Sequence, residues 1–165
     1  MSRQKLRIVK PPHRKFTMSA CMIVKNEAAN LEKCLSSIDM LVDEIVIVDT
    51  GSTDGTQGIA RQFTKVRLFE PEPIMFMEKS KGDDFDRIDF SANRNVAIKH
   101  CTGDWIFIID GDEFVQDIGD MRLLVKQANK AGVDHIFVNL LAVEDGHHAK
   151  QAQIRFFKNT GKFHY

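Results

Sequence analysis

Short apolar runs, each giving way abruptly to polar residues, punctuate this chain. Residues 18–24 (Met-Ser-Ala-Cys-Met-Ile-Val) precede Lys25-Asn26-Glu27, residues 44–48 precede Asp49, and Trp105-Ile106-Phe107-Ile108-Ile109 precede Asp110-Gly111-Asp112-Glu113. Runs of this length and β-branched content predict buried strands, and Val66-Arg67-Leu68-Phe69 predicts another. Between them Leu31, Cys34, Leu35 and Ile38 recur at i, i+3, i+4, i+7, the spacing of an amphipathic helix, with Asn26 as its expected cap. The segment from Ile59 to Phe63 is short and weakly periodic. A helix is predicted over residues 90–100, capped by Ser91, with Ala92, Val96 and Ala97 facing inward. Another is predicted through Met121, Leu124, Val125 and Ala128, with Gly132 placed to end it. Strand, helix, strand, helix, strand is the signature of a parallel sheet with helical crossovers.

Two final strands are predicted around His135–Val143 and Gln151–Lys158. The intervening Asp145-Gly146 signals a hairpin, with a connection expected to exceed two residues. Residues 70–89 interrupt the pattern with Pro71, Pro73 and the stretch Lys79-Ser80-Lys81-Gly82-Asp83-Asp84, and a loop of this length is expected to be functional or mobile. The 165 residues suit one domain over 17–165, preceded by a basic tail over 1–16 broken by Pro11-Pro12. There is no internal repeat.

Composition narrows the partners. Hydrophobic residues make up 43% and charged residues 28%, ordinary for a globular protein, and 23 Lys plus Arg balance 23 Asp plus Glu. That balance gives no argument for a nucleic-acid partner. Arg3, Lys5, Arg7, Lys10, Arg14 and Lys15 would suit anionic lipid, but a solvated tail is the favoured reading. No stretch approaches the roughly 20 apolar residues of a membrane span, and the N-terminus lacks a secretory core, so a cytoplasmic location is expected. Cys21, Cys34 and Cys101 have no metal-ligand spacing and read as buried thiols.

In an open α/β sheet, ligands bind outside the carboxyl ends of the strands, so the three polar clusters should converge there. Carboxylates at buried strand ends call for a cationic partner, and a divalent metal with a phosphorylated ligand answers that need. One of Asp110 and Asp112 would then meet a ribose hydroxyl or a metal-bound water and the other the metal, with Gly111 allowing the turn. The competing reading is an ordinary turn in which Asp112 or Glu113 caps a short helix. Asp49 fits either a turn aspartate satisfied by the amides of Gly51 and Ser52 or an acceptor for a nucleobase N–H. Ser52 and Asp54 suit helix caps better than direct ligands. Arg94 is a solvated charge or, if it faces the crevice, a partner for phosphate or ribose oxygens. Asp145, His147 and His148 suit turn chemistry in the hairpin, although Asp145 remains the candidate general base.

The order of these pieces resembles glycosyltransferase family 2. The matching text is Ala20-Cys21-Met22-Ile23-Val24-Lys25-Asn26-Glu27-Ala28, Ile47 through Thr56, Ser91-Ala92-Asn93-Arg94-Asn95, and Thr102-Gly103-Asp104-Trp105 leading to Asp110-Gly111-Asp112-Glu113. It continues more weakly through Arg155-Phe156-Phe157-Lys158-Asn159. The resemblance implies a GT-A fold: a Rossmann-like three-layer α/β/α sandwich with a mainly parallel sheet and a C-terminal β-hairpin. It implies a nucleotide-sugar donor, with UDP the expected carrier, held by Val24, Asn26, Glu27, Asp49, Ser52, Arg94, Asp110 and Gly111. Asp112 would hold Mn2+ or Mg2+, and the acceptor would be a saccharide, lipid or protein. A donor-binding domain without independent turnover is the alternative. The sequence departs from the family by stopping at Tyr165, ahead of the segment that usually adds a further His or acid near the metal, as expected of a fragment or a short relative. A phosphohydrolase aspartyl site fits poorly, since Glu113-Phe114 stands where such enzymes want Thr or Val.

Overall fold

The computed structural model describes residues 16–70, 89–116, 121–144 and 147–165, with side chains left undescribed at 140–144 and 147–151. Residues 1–15 of the basic tail, residues 71–88, Asp145 and the side chains of His147 and His148 lie outside the described residues, and so do the expectations placed on them.

Strand β1 (Met18–Val24) is followed by α1 (Leu31–Ile38), β2 (Glu44–Asp49), α2 (Thr56–Ala60), β3 (Val66–Phe69), α3 (Phe90–His100) and β4 (Trp105–Ile108). Helix α4 (Met121–Lys130) and strands β5 (His135–Glu144) and β6 (His147–Lys158) complete the chain. The sheet order is β3-β2-β1-β4-β6-β5. The first four strands run parallel, whereas β6 is antiparallel to both β4 and β5. This is the mainly parallel sheet with a terminal hairpin that the sequence predicts.

Every residue of β1 is buried because both of its faces are covered. Met18, Ala20, Met22, Ile45, Ile47, Trp105 and Phe107 pack towards α1, α2 and α4. Cys21, Ile23, Val46, Val48, Ile106 and Ile108 pack towards α3. Alternate residues along each strand thus serve opposite helical layers, giving the three-layer α/β/α sandwich. Among the described residues no helix is long and apolar enough to cross a membrane.

Several local expectations are corrected. The N-cap of α1 is Asn30, while Asn26 takes a left-handed φ of 57° outside the helix. Asp89, not Ser91, caps α3, accepting the Ala92 amide at 2.8 Å. Its buried residues are Asn93, Ala97 and Ile98; Val96, half-buried, packs against the same core as expected, whereas Ala92 is half-buried. The final strands are longer than predicted and pair from Glu144↔His147, so only Asp145 and Gly146 lie between them. Gly132 does end α4, with a φ of 75°.

Candidate active site

The carboxyl ends of β1, β2 and β4 open onto one cleft of about 470 Å3, lined by Ile23, Val24, Lys25, Glu27, Thr50, Phe90, Arg94, Asp110, Gly111 and Asp112. Val24, Glu27, Arg94, Asp110, Gly111 and Asp112 thus come together as the sequence places them. Asn26, Asp49 and Ser52 stand behind the lining and shape it.

One wall consists of two loops laced by hydrogen bonds. The Asn26 amide donates to Ser52 Oγ at 2.8 Å, and Asn26 Oδ1 accepts from the Thr53 amide at 2.8 Å. Glu27 N donates to Thr56 Oγ1 at 2.8 Å, and Ala28 N to Asp54 Oδ2 at 3.0 Å. Ser52 is therefore a tie between loops and not the helix cap expected of it. Asp49, 2% exposed, accepts the Gly51 and Ser52 amides on Oδ1 at 2.8 and 2.7 Å. Its Oδ2 is buried without a partner among the described residues, which is costly for an oxygen in an interior. The amides on Oδ1 match the turn reading of Asp49.

The other wall carries charge. Asp110 Oδ1 is paired with Arg94 Nη2 from α3, and its Oδ2 lies 3.7 Å from Arg155 Nη1 of β6. The turn after β4 closes on itself: Glu113 N donates to Asp110 O at 3.0 Å, and Asp110 N to Glu113 Oε2 at 3.0 Å. Glu113 Oε1 then accepts from Arg155 Nη2 at 2.6 Å. Gly111 does not take a left-handed φ, so the freedom to turn is not its reason. A Cβ there would lie 3.0 Å from Glu27 Cγ and 3.1 Å from Val24 Cγ1, so glycine lets the two walls approach. Behind this turn, Cys34 Sγ faces Asp110 O at 3.5 Å. Burial, followed by the charges of Glu113, Asp112 and Asp110, pushes its thiol up to about 12, which makes it an inert packing group.

Asp112 is exposed and makes no hydrogen bond or ion pair among the described residues. No group of three His, Cys, Asp or Glu among the described residues could hold a metal alone. The Asp112 carboxylate is a donor of the type a hard cation takes, such a cation being commonly held by one or two carboxylates plus water and substrate phosphates. Sequence reasoning missed Arg155 and Phe90. A charge inside Ile154-Arg155-Phe156-Phe157 was a signal, since a buried arginine needs a partner; Phe90 gave none.

Similar proteins agree with this architecture. A TPR repeat-containing protein of Synechococcus elongatus is 41% identical over 96 residues, covering 58% of this chain and 20% of that protein. The lipopolysaccharide core biosynthesis glycosyltransferase LpsC of Rhizobium meliloti is 37% identical over 100 residues, 60% of this chain and 33% of its own. The chain thus spans a third or less of the length of these two relatives. The crystal structure of S. aureus TarS 1-349 superposes with a TM-score of 0.60 at 19% identity, over 82% of this chain and 38% of that one, and shares the fold. The model of glycosyl transferase family 2 matches residues 19–165, and the chain belongs to that family.

Proposed function

We propose that the cleft binds a nucleoside-diphosphate sugar, with UDP the expected carrier, and that the chain acts in transferring the sugar to a saccharide, lipid or protein acceptor. The observation that carries this reading is the gathering at one sheet edge of three complementary groups. They are a guanidinium (Arg94), an uncommitted carboxylate (Asp112) and a buried acceptor without a donor (Asp49 Oδ2).

Asp49 Oδ2 would accept the ring N–H of uracil, while the backbone of Val24 to Glu27 and the Ser52 tie shape the pocket around the base. Arg94 now faces Asp110, and the arriving diphosphate offers it a second anion of matching geometry. Asp110, shared between guanidinium and ribose, would orient the nucleotide. Asp112 would hold Mn2+ or Mg2+ against the diphosphate, and the bound cation would offset charge developing on the leaving group. Gly111 keeps the cleft narrow enough for both walls to reach one ligand.

Titration calorimetry with UDP, with and without manganese, tests the reading. Manganese-dependent binding is expected, and Asp112→Ala should abolish that dependence while thermal unfolding stays unchanged. Binding indifferent to metal, or no binding, would count against it. GDP and CDP belong in the same series: guanine also offers a ring N–H, whereas cytosine offers only an acceptor at that ring position.

A second reading, donor binding without turnover, is favoured by one observation. Asp110 is engaged by Arg94, Glu27 accepts from Asn30 at 3.2 Å, and Asp112 is assigned to the cation. Among the described residues no further carboxylate lines the cleft to serve as base, and the candidate Asp145 lies outside them. Sustained release of UDP from a UDP-sugar in the presence of acceptor would exclude it.

A further inference from the structure

Strand β6 carries an irregularity next to the cleft. Its register against β5 pairs Ile136 with Phe156 but Phe137 with Ile154, so Arg155 is an extra residue with no partner across the ladder. Ile154 and Phe157 consequently pack on the α3 side and Phe156 on the other, an order that strict alternation would forbid. A bulge of this kind re-aims a side chain, and such bulges concentrate beside active sites.

The re-aimed side chain is an arginine, 4% exposed. It reaches along the end of β4, donating from Nη1 to Ile108 O at 3.4 Å and from Nη2 to Glu113 Oε1 at 2.6 Å, with Asp110 Oδ2 3.7 Å from Nη1. Its Nε is buried without a partner among the described residues. A buried ion pair contributes little to stability over a well-packed pair of apolar residues, so the placement of this one calls for another reason.

We propose that Arg155 is a positioning residue for the donor site. It holds the acidic turn through Glu113 and Asp110, so that Asp112 is the carboxylate left free for the cation and Asp110 faces the nucleotide. This inference rests on the donor reading above. Arg155 acts through the turn and touches no ligand itself.

Arg155→Lys retains the charge but loses the fork that spans both carboxylates. Because an uncompensated Glu113 could prevent folding in harsher variants, the pair Arg155→Met with Glu113→Gln serves as a neutral companion. Two measurements on each chain decide the matter. Hydrogen exchange at the Asp110 and Glu113 amides should rise about tenfold or more, with the Trp105–Ile108 amides unchanged. UDP affinity in the presence of manganese should fall by about 10- to 100-fold, the usual effect of removing a group that orients a ligating side chain. Unchanged turn exchange, or unchanged UDP affinity in both variants, would overturn the assignment. A failure of the donor reading looks different, because the unsubstituted chain itself would then not bind UDP with manganese.

Discussion

The two walls of the cleft are held by different forces. On the β1–β2 side, amides, hydroxyls and the Asp54 carboxylate lace Asn26, Glu27 and Ala28 to Ser52, Thr53, Asp54 and Thr56, and most of these groups remain near solvent. On the β4–β6 side, two guanidiniums and two carboxylates form a network about one turn, with Arg155 fully enclosed. Each neutral hydrogen bond contributes about 1 kcal/mol, so the first wall can lose a member and keep its shape. A buried charge stripped of its partner costs several times more, so the second wall holds together or fails as a unit. On the proposed reading, shape for a base falls to a tolerant scaffold and charge for a diphosphate to an intolerant one.

The largest break should come from Arg155→Met alone. It leaves Glu113 and Asp110 short of a counter-charge and should lower unfolding free energy by about 3 kcal/mol in denaturant titration. A loss below about 1 kcal/mol would remove the contrast between the walls. Next is Asp49→Asn. The amide oxygen keeps the Gly51 and Ser52 amides, but an NH2 replaces the free acceptor, so UDP affinity should fall by roughly 2 kcal/mol, about 30-fold, with stability nearly unchanged. Ser52→Ala removes one tie and should cost about 1 kcal/mol of stability, with UDP affinity close to that of the unsubstituted chain.

The smallest effect sharpens the comparison from outside the cleft. At the amino end of β2, burial acts to raise the Glu44 carboxyl, but hydrogen bonds from Ser19, Thr102 and Arg67 outweigh it and hold its pKa below the ordinary 4.5. A depressed folded-state pKa contributes stability above the unfolded value that is lost as pH falls through the folded one. Acid unfolding should therefore include a component that sets in as pH drops below about 4.5 and is absent in Glu44→Gln, read as a flatter stability curve over that interval.

The strand ends were legible in the sequence because β1, β2 and β4 are buried on both faces and hold mostly apolar residues until the sheet stops. Leu31, Cys34, Leu35 and Ile38 were legible for the same reason, one face of a helix against one core. The caps were not. Asn26 has the composition of a cap, yet its left-handed φ and its bond from Thr53 depend on a loop 27 residues away. Gly111 was read as a turn residue, whereas its reason is the distance to Glu27 and Val24 across the cleft. The bulge at Arg155 left one trace, a charge in an apolar run, but which carboxylates it meets is set by β6 lying beside β4. Local periodicity reports burial; pairing between distant segments has to be seen.

That pairing sets an order of events in time. The acidic turn and the strand that neutralises it are 42 residues apart in the chain, with β5 and α4 made between them. Until β6 docks, Asp110, Asp112 and Glu113 lack the Arg155 guanidinium, and Arg94 is the cation paired with this turn among the described residues. Contacts of such long sequence separation close late, because loop entropy must be overcome before they form. The cleft is thus among the last parts of the molecule to mature, and a nascent chain carrying β1 to β4 would have the hydrogen-bonded wall in place before the acidic turn is fixed.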